Sequence, residues 1–298
     1  MYAYLINNTE NGAYGYYPAL TPNYNLGWEK TATANIGIDF GFFNNELNIS
    51  FDWYQRTTKD MLAPGQTMPD VLGAGAPKIN AGTLRTRGWE LSIDWRHHFN
   101  EVNVYANASI GDFKTVITKW DNDSQLLNEN YSGKVYGDIW GFETDRYFTK
   151  DDFNADGSYK EGIASQKKLE QDGFVYGPGD IKFKDLNNDK EINGGEGTVK
   201  DHGDLKVIGN TTPRYQYTIN GSISWKGVTV SAMFQGVAKR DWDPGTGAYF
   251  WGSGPYAQVT VFKEHLDYWS ETNTGAYYPK PYIHTAGGVV PFRNKTMT

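Results

Sequence analysis

Oxygen-bearing side chains recur at short spacing in one stretch, Asp185-Leu186-Asn187-Asn188-Asp189-Lys190-Glu191-Ile192-Asn193-Gly194-Gly195-Glu196. Laid on a twelve-residue calcium loop, Asp185, Asn187 and Asp189 supply oxygens at positions 1, 3 and 5. Glu191 offers its carbonyl at position 7, and Glu196 at position 12 can bind in a bidentate manner. A hard divalent cation takes six to eight such oxygens, and this spacing supplies them locally. Lys190 departs from the pattern, because position 6 prefers glycine and an ammonium brings positive charge close. The flanks do not resemble a helix pair, so the expectation is a structural Ca2+ and no switch. The plain alternative is an Asx-rich turn in a solvated loop. A poorer copy, Asp152-Phe153-Asn154-Ala155-Asp156-Gly157-Ser158-Tyr159, has glycine at position 6 but Ile163 at position 12, and reads as an ordinary turn.

The remaining reactive residue types are scattered. Cysteine is absent, which removes disulfides, thiolate catalysis and zinc–thiolate sites together. His97, His98, His202, His265 and His284 stand in no metal-ligand spacing, and no nucleophile elbow or phosphate-binding loop occurs. Asp52, Glu90 and Asp94 alternate with apolar residues, and nothing selects two of them as a glycosidase pair. The expectation is therefore a protein that is not an enzyme and requires no cofactor. Trp242, Tyr249, Phe250, Trp251 and Tyr256 lie among glycine and proline in one long loop. Their ring faces suit sugar stacking, or packing on other loops or a partner protein; Trp242, Tyr249, Trp251 and Tyr256 are the candidate contacts. Val261, Phe262, His265, Leu266 and Trp269 have the spacing of a short amphipathic helix.

The elements that must carry these residues are strands. From Trp28 to Phe42 apolar residues alternate with polar or small ones, Asn44-Asn45 marks a turn, and Leu47, Ile49, Phe51 and Trp53 resume the alternation. Trp89–Trp95, Val102–Ile110, Tyr217–Trp225 and Val228–Phe234 repeat the pattern, giving six clear strands, with a weaker strand end at Tyr2–Ile6. Each run suits a bilayer crossing, which takes roughly 9–11 tilted residues. Connections alternate between short (44–45, near 100, 226–227) and long (about 57–84, 114–213, 236–298), so the short ones gather at one end of the strands. Tight periplasmic turns opposite large extracellular loops are the mark of an outer-membrane barrel, and Trp28, Trp53, Trp89, Trp95 and Trp225 sit where interfacial girdles form. The fold expected is all-β: a section of an antiparallel transmembrane β-barrel, incomplete because six strands cannot close one.

Bulk properties agree. The chain has 298 residues, 15% of them aromatic, and a net charge of −7 that argues against nucleic acid as a partner. No stretch approaches the roughly 18 continuous apolar residues of a membrane helix. Met1-Tyr2-Ala3-Tyr4 shows neither the basic nor the apolar region of a signal peptide. The rival to the barrel is a soluble, secreted β-rich protein that binds glycans through its loop aromatics.

Four blocks, in order, resemble the C-terminal half of SusC/RagA-type TonB-dependent transporters of Bacteroidota. They are Trp28-Glu29-Lys30-Thr31 through Thr58-Lys59-Asp60-Met61-Leu62; Asn80-Ala81-Gly82 with Arg87-Gly88-Trp89-Glu90-Leu91; Gly179-Asp180-Ile181 through Asp189 and on to Pro213-Arg214-Tyr215; and Asp267-Tyr268-Trp269 with Tyr277-Tyr278-Pro279. The resemblance implies a 22-stranded barrel in the outer membrane, energised by the TonB complex and lidded by a SusD-like surface lipoprotein. The cargo implied is glycan or peptide oligomers. It further implies that this sequence is a barrel portion, without plug domain or final strands.

Overall fold

A computed structural model describes residues 2–6, 13–17, 23–64, 77–170, 174–242 and 263–281. In chain order the strands are β1 (Tyr2–Ile6), β2 (Ala13–Tyr17), β3 (Lys30–Phe42), β4 (Leu47–Pro64), β5 (Lys78–Phe99), β6 (Val102–Lys119), β7 (Asp138–Phe142), β8 (Thr144–Tyr147), β9 (Ile181–Phe183), β10 (Leu205–Asn210), β11 (Arg214–Trp225) and β12 (Val228–Lys239). They divide between two compact units. A sheet unit takes residues 1–123, 130–136 and 214–238, and a loop unit takes 124–129, 137–213 and 239–298.

The sheet unit holds one six-stranded sheet in the order β12-β11-β6-β5-β4-β3, and β1 pairs separately with β2. The three expected hairpins form. Phe43, Asn44 and Asn45 all adopt positive φ in the first turn, and Lys226-Gly227 does the same in the last, the twist that tight hairpins require. Register turns the sequence alternation into two faces. Ile38, Phe51, Leu91, Ile110 and Tyr217 align in one row across five strands, while Gly37, Asp52, Glu90, Gly111 and Gln216 align in the next. Because period 2 puts neighbours on opposite faces, the first row belongs wholly to the apolar face and the second to the polar one.

The apolar face is not covered by any other part of the sheet: Ile36, Val230 and Phe234 are 70%, 69% and 67% exposed. Burying a side chain of this size is worth roughly 1.5–3 kcal/mol in water, and a water-soluble sandwich would cover a face of more than a dozen such residues. That face calls for hydrocarbon.

Several strands run further than their alternation. β4 continues to Pro64 and β5 begins at Lys78, so the connection expected over 57–84 contracts to 65–77, and β6 continues to Lys119. Beyond the apolar band neither face has to be greasy, so the ladder persists while the period-2 signal fades. The register shifts between Thr58 and Met61, where Asp60 takes a positive φ.

The loop unit folds around conventional cores. Phe148, Phe153, Phe174 and Tyr176 form one, and Ile181, Phe183 and Ile192 form another, with Leu169 touching both. Short ladders β7–β10 and β8–β9 frame them. The side chain of Gln166, fully buried, donates to the Ile181 carbonyl and accepts from the Phe183 N–H, at 3.1 and 2.7 Å. Of the helix expected over Val261–Trp269, Val261 and Phe262 lie outside the described residues. Its described part is a 3-10 turn, Lys263–Leu266, followed by a bridge between Tyr268 and Tyr278. Trp269 is fixed by packing: its ring lies so close to Gly179 that a Cβ there would sit 2.3 Å away.

Candidate functional site

The polar face of the sheet brings together side chains from five strands. Ser50, Ser92, Ser109 and Thr218 align as a hydroxyl row, and Asn48, Asp94, Asn107 and Asn220 as a row of amides and carboxylate. Local hydrogen bonds knit them: Tyr105 donates to Asp94 at 3.2 Å and Asn220 donates to Asn107 at 3.2 Å. A cavity of about 730 Å³ opens on this face, lined by Asp52, Tyr54, Glu90, Ser109, Gln216 and Gln235 among others. The Tyr54 ring can lie flat there because Gly88 has no Cβ, which would stand 2.5 Å from it. Hydroxyls, amides and carboxylates in rows offer exchangeable hydrogen bonds to a polar oligomer. Nothing in them activates a nucleophile or assembles a proton relay. Among the described residues, no three His, Cys, Asp or Glu side chains gather as a metal seat.

At the long-loop end, Asp112 and Arg214 tie β6 to β11 across 102 residues of sequence. Arg214 donates to both carboxylate oxygens through Nε and Nη2, and the Asp112 side chain is 7% exposed. Asn80 works as a second clasp, donating to the carbonyls of Gly27 and Asp60 and accepting from the Gly27 N–H at 2.7 Å.

The calcium-like stretch folds as a turn closed by its own side chains. Asp185 accepts the N–H groups of Asn188 and Lys190, Asn187 accepts that of Asp189, and Asp189 accepts that of Glu191. The Glu191 carboxylate pairs with Lys168 at 2.7 Å, and Glu196 is exposed. The anchor lies outside the motif: fully buried Asp204 accepts from Leu186 and Asn193, at 2.7 and 2.9 Å. Asp185, Asn187, Asp189, Glu191 and Glu196 are thus neighbours whose oxygens are engaged separately or face water.

The poorer copy has an evident structural task. Asp152 caps the turn at Thr149 and holds Arg146 in a two-point grip at 2.6 and 2.7 Å. The Arg146 hydrogen bonds pull its carboxyl down to about 2. Ile163 packs against the Phe148 cluster, which is why no acid stands at that position. Nearby, Lys184 and Lys206 both donate to Glu143 and hold its carboxyl at about 2, while burial pushes the Tyr147 phenol up to about 12.

Of the four candidate contact aromatics, Trp242 is 68% exposed; Tyr249, Trp251 and Tyr256 lie outside the described residues. Among the histidines, His97 pairs with Glu46, His98 with Asn103, and the His202 ring leans on Trp140. Sequence reading missed Asp204, Gln166 and the Asp112–Arg214 pair. Only the invariably expensive burial of a lone charge or amide reveals them, and burial needs the fold.

Comparison with known proteins accounts for the two-faced sheet. TonB-dependent receptor P3 of Formosa agariphila is 27% identical over 284 residues, covering 88% of this chain and 25% of the relative. TonB-dependent receptor SusC of Bacteroides thetaiotaomicron is 29% identical over 239 residues, covering 72% of this chain and 21% of SusC. The chain therefore spans about a quarter of the length of these relatives. The solved RagAB peptide transporter superposes with a TM-score of 0.61 at 22% identity, over 94% of this chain and 29% of that one, and so shares the fold. The model of the family described as TonB dependent receptor-like, beta-barrel, matches residues 2–289, and the chain belongs to that family of the outer membrane.

Proposed function

We propose that this chain forms wall strands and long loops of an outer-membrane nutrient importer, which takes up glycan or peptide oligomers with energy delivered through TonB. A SusD-like surface lipoprotein is the proposed partner at the long loops. The observation that carries this reading is the sheet with one hydrocarbon-facing and one hydroxyl- and amide-lined face, in a chain of this family. Kinship to SusC and to the RagAB peptide transporter supports the choice of cargo classes and partner. The mechanism is gated passage along polar rows, with no bond made or broken.

The test is deletion of the gene in its host, followed by uptake of fluorescent oligosaccharides and oligopeptides and by co-purification from outer membranes. Loss of uptake of one cargo class, and a lipoprotein held by the full-length protein, is the expected result. A detergent-independent protein of 33.6 kDa in the medium would overturn the reading in favour of a secreted glycan binder.

A further inference from the structure

The polar face of the sheet changes character along its strands. Toward the short turns its side chains bond one another: Ser92 and Tyr105 donate to Asp94, and Asn107 donates to Ser92 and accepts from Asn220. Beyond Ser92, toward the long loops, this knitting stops. Asp52 and Glu90 stand directly opposite each other, in one row with Gly37, Gly111 and Gln216. Like charges set across a ladder repel, and the flanking glycines give each room to lean away. A Cβ on Gly37 would stand 2.5 Å from the Asp52 carboxylate, and one on Gly111 would stand 3.2 Å from Glu90 Cγ. The side chains of Asp52, Tyr54, Glu90, Gln216 and Gln235 hold no hydrogen bond or ion pair among the described residues, and all five line the cavity of about 730 Å³.

Tyr54, Gly88 and Phe113 make the next row. The phenol tip of Tyr54 occupies the space that a Cβ on Gly88 would need, so its ring reclines across β5 with one face on the strand and the other toward the cavity. The charged side chains of the lining are Asp52, Glu90 and Asp112, and Asp112 is taken by Arg214. Arg56 stands one row beyond Tyr54 and is not part of the lining.

We propose that this cavity is a stacking subsite for a neutral oligosaccharide, with one pyranose ring on the free face of Tyr54. The proposal rests on the importer reading and narrows its cargo to glycans. A pyranose has an apolar C–H face that covers an aromatic ring, and its edge carries hydroxyls that both donate and accept. Carboxylates accept those hydroxyls and amides serve either role, so Asp52, Glu90, Gln216 and Gln235 meet the edge while Tyr54 meets the face. A uronate or sulfated sugar would set its anion against Asp52 and Glu90, and such like-charge contact suppresses the wrong partner. An extended peptide satisfies its backbone at a free strand edge, whereas β4, β5 and β6 are paired on both edges.

The experiment is equilibrium binding of the full-length protein, purified in detergent, to arrayed gluco-, galacto-, manno- and xylo-oligosaccharides, with uronate oligosaccharides and oligopeptides alongside. Wild-type protein should hold a neutral member at least about tenfold more tightly than any uronate, a preference that depends on no variant's folding. For that glycan, Y54A should weaken binding about tenfold and Y54F should stay within about threefold. E90Q should narrow the gap to uronates. Retention of peptides or uronates alone, retention of no neutral oligosaccharide, or equal affinity of Y54A and wild type would overturn the proposal. Loss of uptake on gene deletion, with Y54A binding unchanged, would remove the subsite and leave the importer standing. Tyr54-dependent glycan binding without any loss of uptake on deletion would keep the subsite and remove the importer.

Discussion

The sheet unit and the loop unit are made by one chain from the same residue types, yet they sort them in opposite directions. The sheet sends Ile36, Phe40, Val230 and Phe234 outward and keeps Ser92, Ser109 and Asn107 on its other face. The loop unit encloses Phe148, Ile181 and Ile192 completely and admits acids such as Asp152 and Asp204 only where hydrogen bonds hold them. Hydrophobic burial drives both: hydrocarbon covers the apolar face of one, and the other folds its apolar residues into cores of its own. An exposed isoleucine is therefore a fault in one unit and a requirement in the other.

The contrast can be broken by experiment. The largest effect expected is from Phe148→Ala, which opens a cavity in the loop unit at a cost of about 3–5 kcal/mol. Amide exchange should then accelerate in 140–183 while the β4–β5 ladder stays protected; equal loss in both would mean the units are not separate. Next, Ile93→Arg in the middle of the apolar face should cost about 2–4 kcal/mol in a bilayer. Val175→Arg, on the exposed surface of the loop unit, should change stability by less than about 0.5 kcal/mol. Comparable penalties for the two arginines in lipid-reconstituted protein would deny the sheet its hydrocarbon.

Asp152 supplies a pH-dependent version. Its folded pKa of about 2 lies below the ordinary 3.8, so its contribution is fully present above 3.8 and disappears as pH falls toward 2. Asp152→Asn should cost the loop unit about 2 kcal/mol at neutral pH and remove that acid sensitivity, measured by tryptophan fluorescence during urea unfolding at pH 7 and pH 2.5. Sheet amides should not respond. The smallest effect concerns the 185–196 turn, for which a weakly held structural Ca2+ is our proposal. Calcium at several times its dissociation constant should add about 1 kcal/mol to loop-unit stability, and Asp189→Asn should abolish the gain. No change on adding CaCl2 or chelator would assign the turn wholly to its hydrogen bonds.

The sheet was legible from residue order because lipid imposes a strict local rule. Trp28–Phe42, Leu47–Trp53 and Tyr217–Trp225 alternate since one face must be greasy, and Asn44-Asn45 announces the turn. Where the rule lapses, at Thr57–Pro64 and Lys78–Leu84, strand residues carry no period that separates them from loop. The loop unit obeys no short period: its strands are as brief as Ile181–Phe183. Its anchors act at a distance, as Asp204 does on Leu186 and Gln166 on Ile181 and Phe183. The spacing at 185, 187 and 189 correctly marks a tight turn, but spacing alone does not tell oxygens aimed at an ion from oxygens aimed at the main chain. The resemblance to known transporters supplied what periodicity could not, through landmarks spread from Trp28 to Pro279.

One consequence follows from β6 and β11 being ladder partners, with Gly111 opposite Gln216, although nearly a hundred residues intervene. A segment that leaves and re-enters a sheet at adjacent strands makes no demand on the rest of the strand order. Evolution can lengthen, replace or shuffle 137–213 as a cassette, while 130–136 stay with the sheet unit and the Asp112–Arg214 pair closes β6 onto β11. Diversification of what such a surface meets outside the cell can then proceed without rebuilding the wall that holds it.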